Sequence, residues 1–390
     1  MGGGTSLLHN PHVDQDKIAG VISRFMPGSD VEAIRQHMAE NPALVDEELD
    51  ELLLQIANSR LLEHHAKRME SHLAPSTPPP DAALEEGDHH DRAIVSQVSH
   101  RLMTSFSNHF VVAVDGSEVS HMAFMATMRL RRGEDHIEIL HCYKRDQEGL
   151  PDSCKVMNIK ERYETELVST IPHRFFEVSM EPRLEGIEGP KMVAHYVNQQ
   201  VTRDTLLAPD SVPNFLVMGV VGRKGPKEDP TILGKTAYDS LQFSHIPVIL
   251  IRKPIPEDQP HLTYVMSVTS SDRSKSAFRL LLPLLRPRDK LIVIHITLDM
   301  VEYEALPSYT HPSSVQRHYE REIEEYAPLN SSFHLIEHVP GQPSHQTISD
   351  FMKQEEADFL VLAPRYRQAL SSTTSHLIQK TRVNMVLFKG

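Results

Sequence analysis

The sequence is poor in cysteine, with Cys142 and Cys154 the only two in 390 residues. Two cysteines make no disulfide framework, which points to a reducing compartment. Long apolar runs are missing as well, and no stretch reaches the about 18–20 residues that cross a bilayer. The N-terminus has no basic region followed by an apolar core, so a secretory signal is not expected and a cytoplasmic location is. Positive charge is in deficit: 40 Lys and Arg stand against 53 Asp and Glu, a formal net charge of −13. Bulk attraction to nucleic acid or to anionic lipid is therefore not expected. The paired histidines His64–His65 and His89–His90 have no further ligands at organised spacing, so they read as solvated polar residues rather than a metal site.

What is present begins with "MGGGTS", which matches Met-Gly-x-x-x-Ser/Thr, with Gly2 as the acceptor of N-myristoylation and Ser6 at the fixed position. A flexible Gly-rich start explains the same letters equally well. One acyl chain without a polybasic cluster gives only weak, reversible membrane association. Residues 1–73 are expected to be a helical N-terminal region: Ile18, Val21, Ile22 and Phe25 repeat at helical spacing, "SDVE" at Ser29–Glu32 has the form of a capping box, and Leu49, Leu52, Leu53 and Ile56 make a second apolar stripe. "APSTPPPDAALEEGDHHD" opens a Pro- and acid-rich segment, 74–104, expected to be a disordered linker.

From about residue 105 the pattern changes to α/β. "HFVVAVD" (109–115), "HIEILHC" (136–142), "RFFEVSM", "NFLVMGVV" (214–221) and "PVILIRK" (247–253) read as strands with helices between them, which argues for a parallel sheet covered on both faces. The alternation then repeats, with "LTYVMSV", "KLIVIHI", "SFHLIEHV", "DFLVLAP" and "NMVLFK" as strands. "VDGSEVSHMAF" (114–124) lies over "VTSSDRSKSAF" (268–278), and "LGKTAYDSLQFSHIPVILI" (233–251) lies over "LSSTTSHLIQKTRVNMVLF" (370–388) without a gap. The fold expected is two tandem open parallel-sheet, Rossmann-like domains, 105–254 and 255–390, behind the helical region.

Chemistry is expected outside the carboxyl ends of the strands. Asp115 ends the first strand, and "GVVGRKGPKEDPTILGKT" (219–236) follows the fourth. The closing Gly-Lys-Thr imitates a P-loop, but the first glycine of that motif would fall on Asp229, where an acid would repel phosphate. Gly219, Gly222, Gly225 and Gly234 instead permit tight turns and close approach of backbone amides to an anion. Gly234 opens a helix whose free amides favour phosphate, and Lys235 and Thr236 add a cation and a hydroxyl. The same features serve as turns and caps when taken singly. Together, on one sheet edge, they point to a phosphate or nucleotide.

With these motifs, "VVAVDGSEVS" and "LVMGVVGRKG…LGKT…IPVILIRKP", the chain resembles the universal stress protein family over 105–254, and in degraded form over 262–390. The ATP-binding members show Gly, two residues, Gly, nine residues, then Gly and a small hydroxyl residue. Here Gly219 and Gly222 precede Gly234 with eleven residues intervening, or Gly222 and Gly225 do so with eight. Lys235 stands where Ser or Thr is usual.

The resemblance implies an adenine nucleotide, ATP with or without Mg, as cofactor. It places Asp115 by the nucleoside, the end of the second strand near His141 and Cys142 beside the base, and Met218, Gly219, Gly222, Gly225, Gly234, Lys235 and Thr236 around the phosphates. It also implies pairing through the last strands, so that "PVILIRK" and "NMVLFK" would make an intrachain pseudo-dimer, open to further homo-oligomerisation. Thr269, Ala363 and Ser371 replace Asp115, Gly219 and Gly234 in the second unit, so one competent site is expected.

No general base, metal-binding carboxylate pair or arginine finger can be assigned, so hydrolysis, if any, is expected to be slow. The function read here is an ATP-binding stress-response or signalling module. A non-binding protein–protein scaffold is the competing reading. A nucleotidyl transferase would need a His-containing phosphate motif after the first strand, which "VDGSEVSH" matches poorly.

Overall fold

The computed structural model describes residues 107–145, 148–207, 214–223, 232–297, 310–328, 330–339, 341–364 and 371–388. Gly2, the helical region expected over 1–73, the linker expected over 74–104, and Gly225 lie outside the described residues. By internal contacts the chain divides into 1–73 with 202–209, and 74–201 with 210–390; all ten strands lie in the second unit.

In chain order the first half runs β1 (His109–Ala113), α1 (Glu118–Leu130), β2 (His136–Tyr143), α2 (Val156–Val168), β3 (Phe176–Pro182), α3 (Met192–Leu207, whose last six residues fall in the other unit), β4 (Phe215–Gly219), α4 (Lys235–Phe243) and β5 (Val248–Ile251). The second runs β6 (Thr263–Ser267), α5 (Asp272–Leu281), β7 (Lys290–Ile296), α6 (Pro312–Tyr326), β8 (Ser332–Ile336), α7 (Ser344–Gln354), β9 (Phe359–Leu362), α8 (Ser372–Lys380) and β10 (Asn384–Leu387). Gly189–Lys191 form a tight 3-10 turn before α3, with Pro190 in the first turn, where a helix needs no amide. Strand β1 stops at Ala113, so Asp115 sits beyond the strand rather than at its last position.

One continuous ten-stranded sheet joins the two halves, in the order β3-β2-β1-β4-β5-β10-β9-β6-β7-β8. All pairings are parallel except β5 with β10, which is antiparallel: Val248 lies opposite Leu387 and Leu250 opposite Met385. The strands are apolar on both faces, as a sheet covered on both sides requires. Phe110, Val112 and Ile249 pack with Phe124, Tyr163, Phe278 and Tyr319 of α1, α2, α5 and α6. Val111, Val248 and Leu250 pack on the other face with Val197, Leu241, Met352 and Leu377 of α3, α4, α7 and α8.

The duplication is legible in hydrogen bonds. Asp135 accepts from the amides of Asn108 (2.6 Å) and Arg132 (2.8 Å), and Asp289 accepts from those of Leu262 (2.9 Å) and Arg286 (2.8 Å). Each aspartate is buried and ties the turn before one strand to the strand beside it. At the joint, Arg132 donates to the Leu285 carbonyl and Arg286 to the Arg129 carbonyl, a reciprocal exchange between halves. Asn384, fully buried, accepts from the amides of Arg252 (2.8 Å) and Lys253 (3.1 Å) just past β5.

Candidate functional site

The carboxyl ends of β1 and β4 lie side by side, since Ala113 pairs with Met218. The backbone leaves β1 through Asp115 and Gly116. Gly116 has φ +80°, and a Cβ there would overlap the Ser153 carbonyl, so only glycine fits the turn. Ser117 then caps α1, accepting from the Ser120 amide at 3.2 Å.

The Asp115 carboxylate binds two segments. One oxygen accepts from the Ser117 amide (3.1 Å) and hydroxyl (2.6 Å); the other accepts from the Arg223 amide at 2.6 Å. Asp115 thus brings the loop after β4 against the start of α1, across 108 residues of sequence. Glycines make that approach possible. A Cβ on Gly222 would stand 2.8 Å from Asp115 Oδ2, and one on Gly219 would stand 2.6 Å from Val119 Cγ1 and 2.8 Å from its carbonyl oxygen.

The described chain returns to this loop at Gly234, whose amide donates to the Val220 carbonyl at 2.7 Å. Gly234 is the N-cap of α4, with φ −66° and ψ 152°. It has no side chain to offer the first amides of the helix, and among the described residues nothing accepts from the amides of Lys235, Thr236 or Ala237. The equivalent helix α8 differs at this point. There Ser371 is the N-cap and accepts from the Thr374 amide at 3.1 Å. The first amides of α4 therefore have no side-chain cap among the described residues, whereas those of α8 are capped by the Ser371 hydroxyl.

Lys235 does not stand free over this opening. Its Nζ lies 3.3 Å from Glu188 Oε2, and Lys191 Nζ approaches the same oxygen at 3.7 Å. Neither Glu188 nor Lys191 is marked by any motif; they reach α4 because the segment before α3 packs along it, with Asn198 Nδ2 donating to the Phe243 carbonyl at 2.8 Å. Thr236 is half-buried at the second helical position.

The remaining expected residues fall into different roles. Met218 is buried, its side chain in the core under α3 and α4. Cys142 faces the same side of the sheet. Burial first, then the Glu181 charge, push its thiol up to about 12, so it is a protonated, unreactive group. His141 is buried and donates from Nδ1 to the Val114 carbonyl at 2.7 Å, with burial pulling its pKa down. His295 repeats this on Val268 at 2.9 Å. The two neutral imidazoles brace the ends of β1 and β6 and are no acid–base pair.

In the second half, Thr269 takes over the local part of Asp115's role. Its hydroxyl meets the Ser271 hydroxyl at 2.8 Å, and its amide donates to Ser274 Oγ at 3.0 Å. Among the described residues it makes no side-chain bond to the segment after β9. No group of three or more His, Cys, Asp or Glu positioned to hold a metal occurs among the described residues. No described helix is long and apolar enough to cross a membrane.

No protein-family model and no curated protein sequence matches the chain. Solved structures do. A universal stress protein from Archaeoglobus fulgidus DSM 4304 is 16% identical, over 74% of this chain and 98% of its own, with a TM-score of 0.46. A functionally unknown protein from Pseudomonas aeruginosa PAO1 is 13% identical, over 73% of this chain and 93% of its own, with a TM-score of 0.49. The universal stress protein UspA from Lactobacillus plantarum is 17% identical, over 37% of this chain and 97% of its own, with a TM-score of 0.28. The solved structures to which this chain is similar thus include universal stress proteins of both lengths, one spanning about three quarters of it and one little more than a third.

Proposed function

We propose that the chain is an adenine-nucleotide-binding module of the stress-response type, with one binding site per chain, formed by β1, β4 and the start of α4. The observation that carries this reading is the bare N-terminus of α4 beside Gly222 and Gly219, set against the serine-capped N-terminus of α8. Unbonded amides at a helix start, with the dipole behind them, attract phosphate. The glycines leave room for backbone donors to approach it. The sequence motifs "VVAVDGSEVS" and "LGKT" support ATP over other anions.

The donors fit a polyphosphate and not a protein-held cation. Lys235, Lys191 and the amides of α4 supply positive charge, and no group of three or more His, Cys, Asp or Glu that could hold a metal occurs among the described residues. A magnesium ion would arrive on the nucleotide, which suits its preference for phosphate and water ligands. The chain's own residues would then position the ligand. Asp115 keeps the loop after β4 in place, and the α4 amides receive phosphate oxygens. Nothing described is placed to activate a water, so the reading is binding rather than turnover.

Mass spectrometry of nucleotide released from freshly purified protein, followed by calorimetry with ATP, tests the reading. A stoichiometry near one, abolished by Gly234→Val, is the expected result. Absence of any nucleotide binding would leave the scaffold reading in its place.

A further inference from the structure

We infer that Glu188 is a built-in competitor for the phosphate end of the site: its carboxylate occupies the lysine pair that an anionic ligand would otherwise recruit. This rests on the site proposed above. Glu188 Oε2 receives Lys235 Nζ at 3.3 Å and Lys191 Nζ at 3.7 Å, so the first residue of α4 and a lysine of the segment packed along it converge on one oxygen. Lys235 is the first residue of that helix, and Gly234 before it has no side chain to shield the amides. An acidic group on these lysines has the chemistry of a ligand phosphate: negative and oxygen-terminated.

The competitor is held there by its own element. Glu188 precedes the 3-10 turn Gly189–Lys191, whose Lys191 amide donates back to the Glu188 carbonyl at 2.9 Å. Lys191 lies over the Phe243 ring at 5.4 Å, and Asn198 accepts from the His245 amide at 2.8 Å while donating to the Phe243 carbonyl. The carboxylate is thus presented by a segment fastened to the far end of α4. The hydrogen bond from Lys235, followed by the charges of Lys191 and Lys235, holds the Glu188 carboxyl below its usual range, so it is ionised at neutral pH. At the opposite end of the site a second internal carboxylate, Asp115, occupies the Arg223 amide. The lysine pair is therefore engaged in the free protein, and a polyphosphate that recruits it does so by taking the lysines from Glu188.

Because Lys235 and Glu188 are both more than half exposed, the contest is one between solvated ions and is sensitive to salt. The test is calorimetric titration of the full chain with ATP and, separately, inorganic tripolyphosphate, for the unaltered protein, Glu188→Gln, Lys235→Gln and the double variant. Glu188→Gln should tighten both ligands about two- to fivefold. The gain should disappear in the Lys235→Gln background and shrink in 0.5 M salt. Glu188→Gln binding ATP no tighter than the unaltered protein would overturn the competition while leaving the site standing. Failure of every form to bind either ligand would remove the site reading and the competitor with it.

Discussion

Replacing Gly234 by serine should separate folding from anion binding. The residue has φ −66° and ψ 152°, an extended conformation open to any amino acid. A Cβ there would meet Val221 Cα at 3.2 Å and the Val220 carbonyl oxygen at 3.3 Å, so its neighbours must give by a few tenths of an ångström. Serine for glycine at an N-cap gains about a few tenths of a kcal/mol, which this crowding offsets. Net stability should move by less than about 1 kcal/mol, a Tm shift of no more than about 2–4 °C for a domain of this size. The hydroxyl would reach the Ala237 amide, as Ser371 Oγ reaches the Thr374 amide at 3.1 Å in α8. A phosphate must then displace a formed cap, at a cost of about 0.5–2 kcal/mol. That is about 2- to 30-fold in ATP affinity. Gly234→Ala is the control, since it adds the same Cβ without the hydroxyl and should lose less affinity. Thermal melts and calorimetry on both variants read the two quantities. Unchanged ATP affinity for Gly234→Ser at an unchanged Tm would refute the argument that the α4 amides receive the ligand. So would equal losses for the alanine and serine variants.

Three further outcomes follow from the same coordinates. Gly116→Ala should lower stability by about 1–3 kcal/mol, because the left-handed turn and the Ser153 carbonyl both exclude a side chain; a urea midpoint equal to that of the unaltered protein would contradict it. Asn384→Ala should cost about 1–3 kcal/mol by stripping the acceptor shared by the Arg252 and Lys253 amides at the β5–β10 joint, again read by urea unfolding. His136 is held near 4 against an ordinary 6.5, by burial first and then by the His109 charge. The unfolded chain therefore binds a proton that the folded chain refuses, and stability falls as the pH drops from about 6.5 toward 4, by at most about 3 kcal/mol from this group. His136→Gln should flatten that part of the pH–stability curve, and an unaltered slope would show that the group does not drive it.

Much of the fold was legible in the chain itself, because strands and helices follow from local periodicity. "HFVVAVD" and "NFLVMGVV" are short β-branched runs bounded by turn residues, and they form β1 and β4. The alignment of 114–124 with 268–278 predicts equivalent turns, and Ser117 and Ser271 are found capping α1 and α5 in the same way. That Gly234 would open a helix followed from its setting before "KTAYDSLQF", and Asp115 and Gly222 could be singled out by residue type.

Tertiary structure alone decided the partners. Strand order and the antiparallel joint depend on which edges meet, and the β5 and β10 sequences would suit a parallel neighbour equally well. The bond from the Arg223 amide to Asp115 spans 108 residues, and its donor is a backbone group that every residue but proline carries. The resemblance sets Met218 beside the phosphates, yet its side chain is buried in the core. Glu188 is one of 53 acidic residues, and nothing near it in sequence marks it. It meets Lys235 only because the turn before α3 is packed along α4, 47 residues away. Local pattern specifies elements, whereas the pairing of charges and donors is set by how those elements pack.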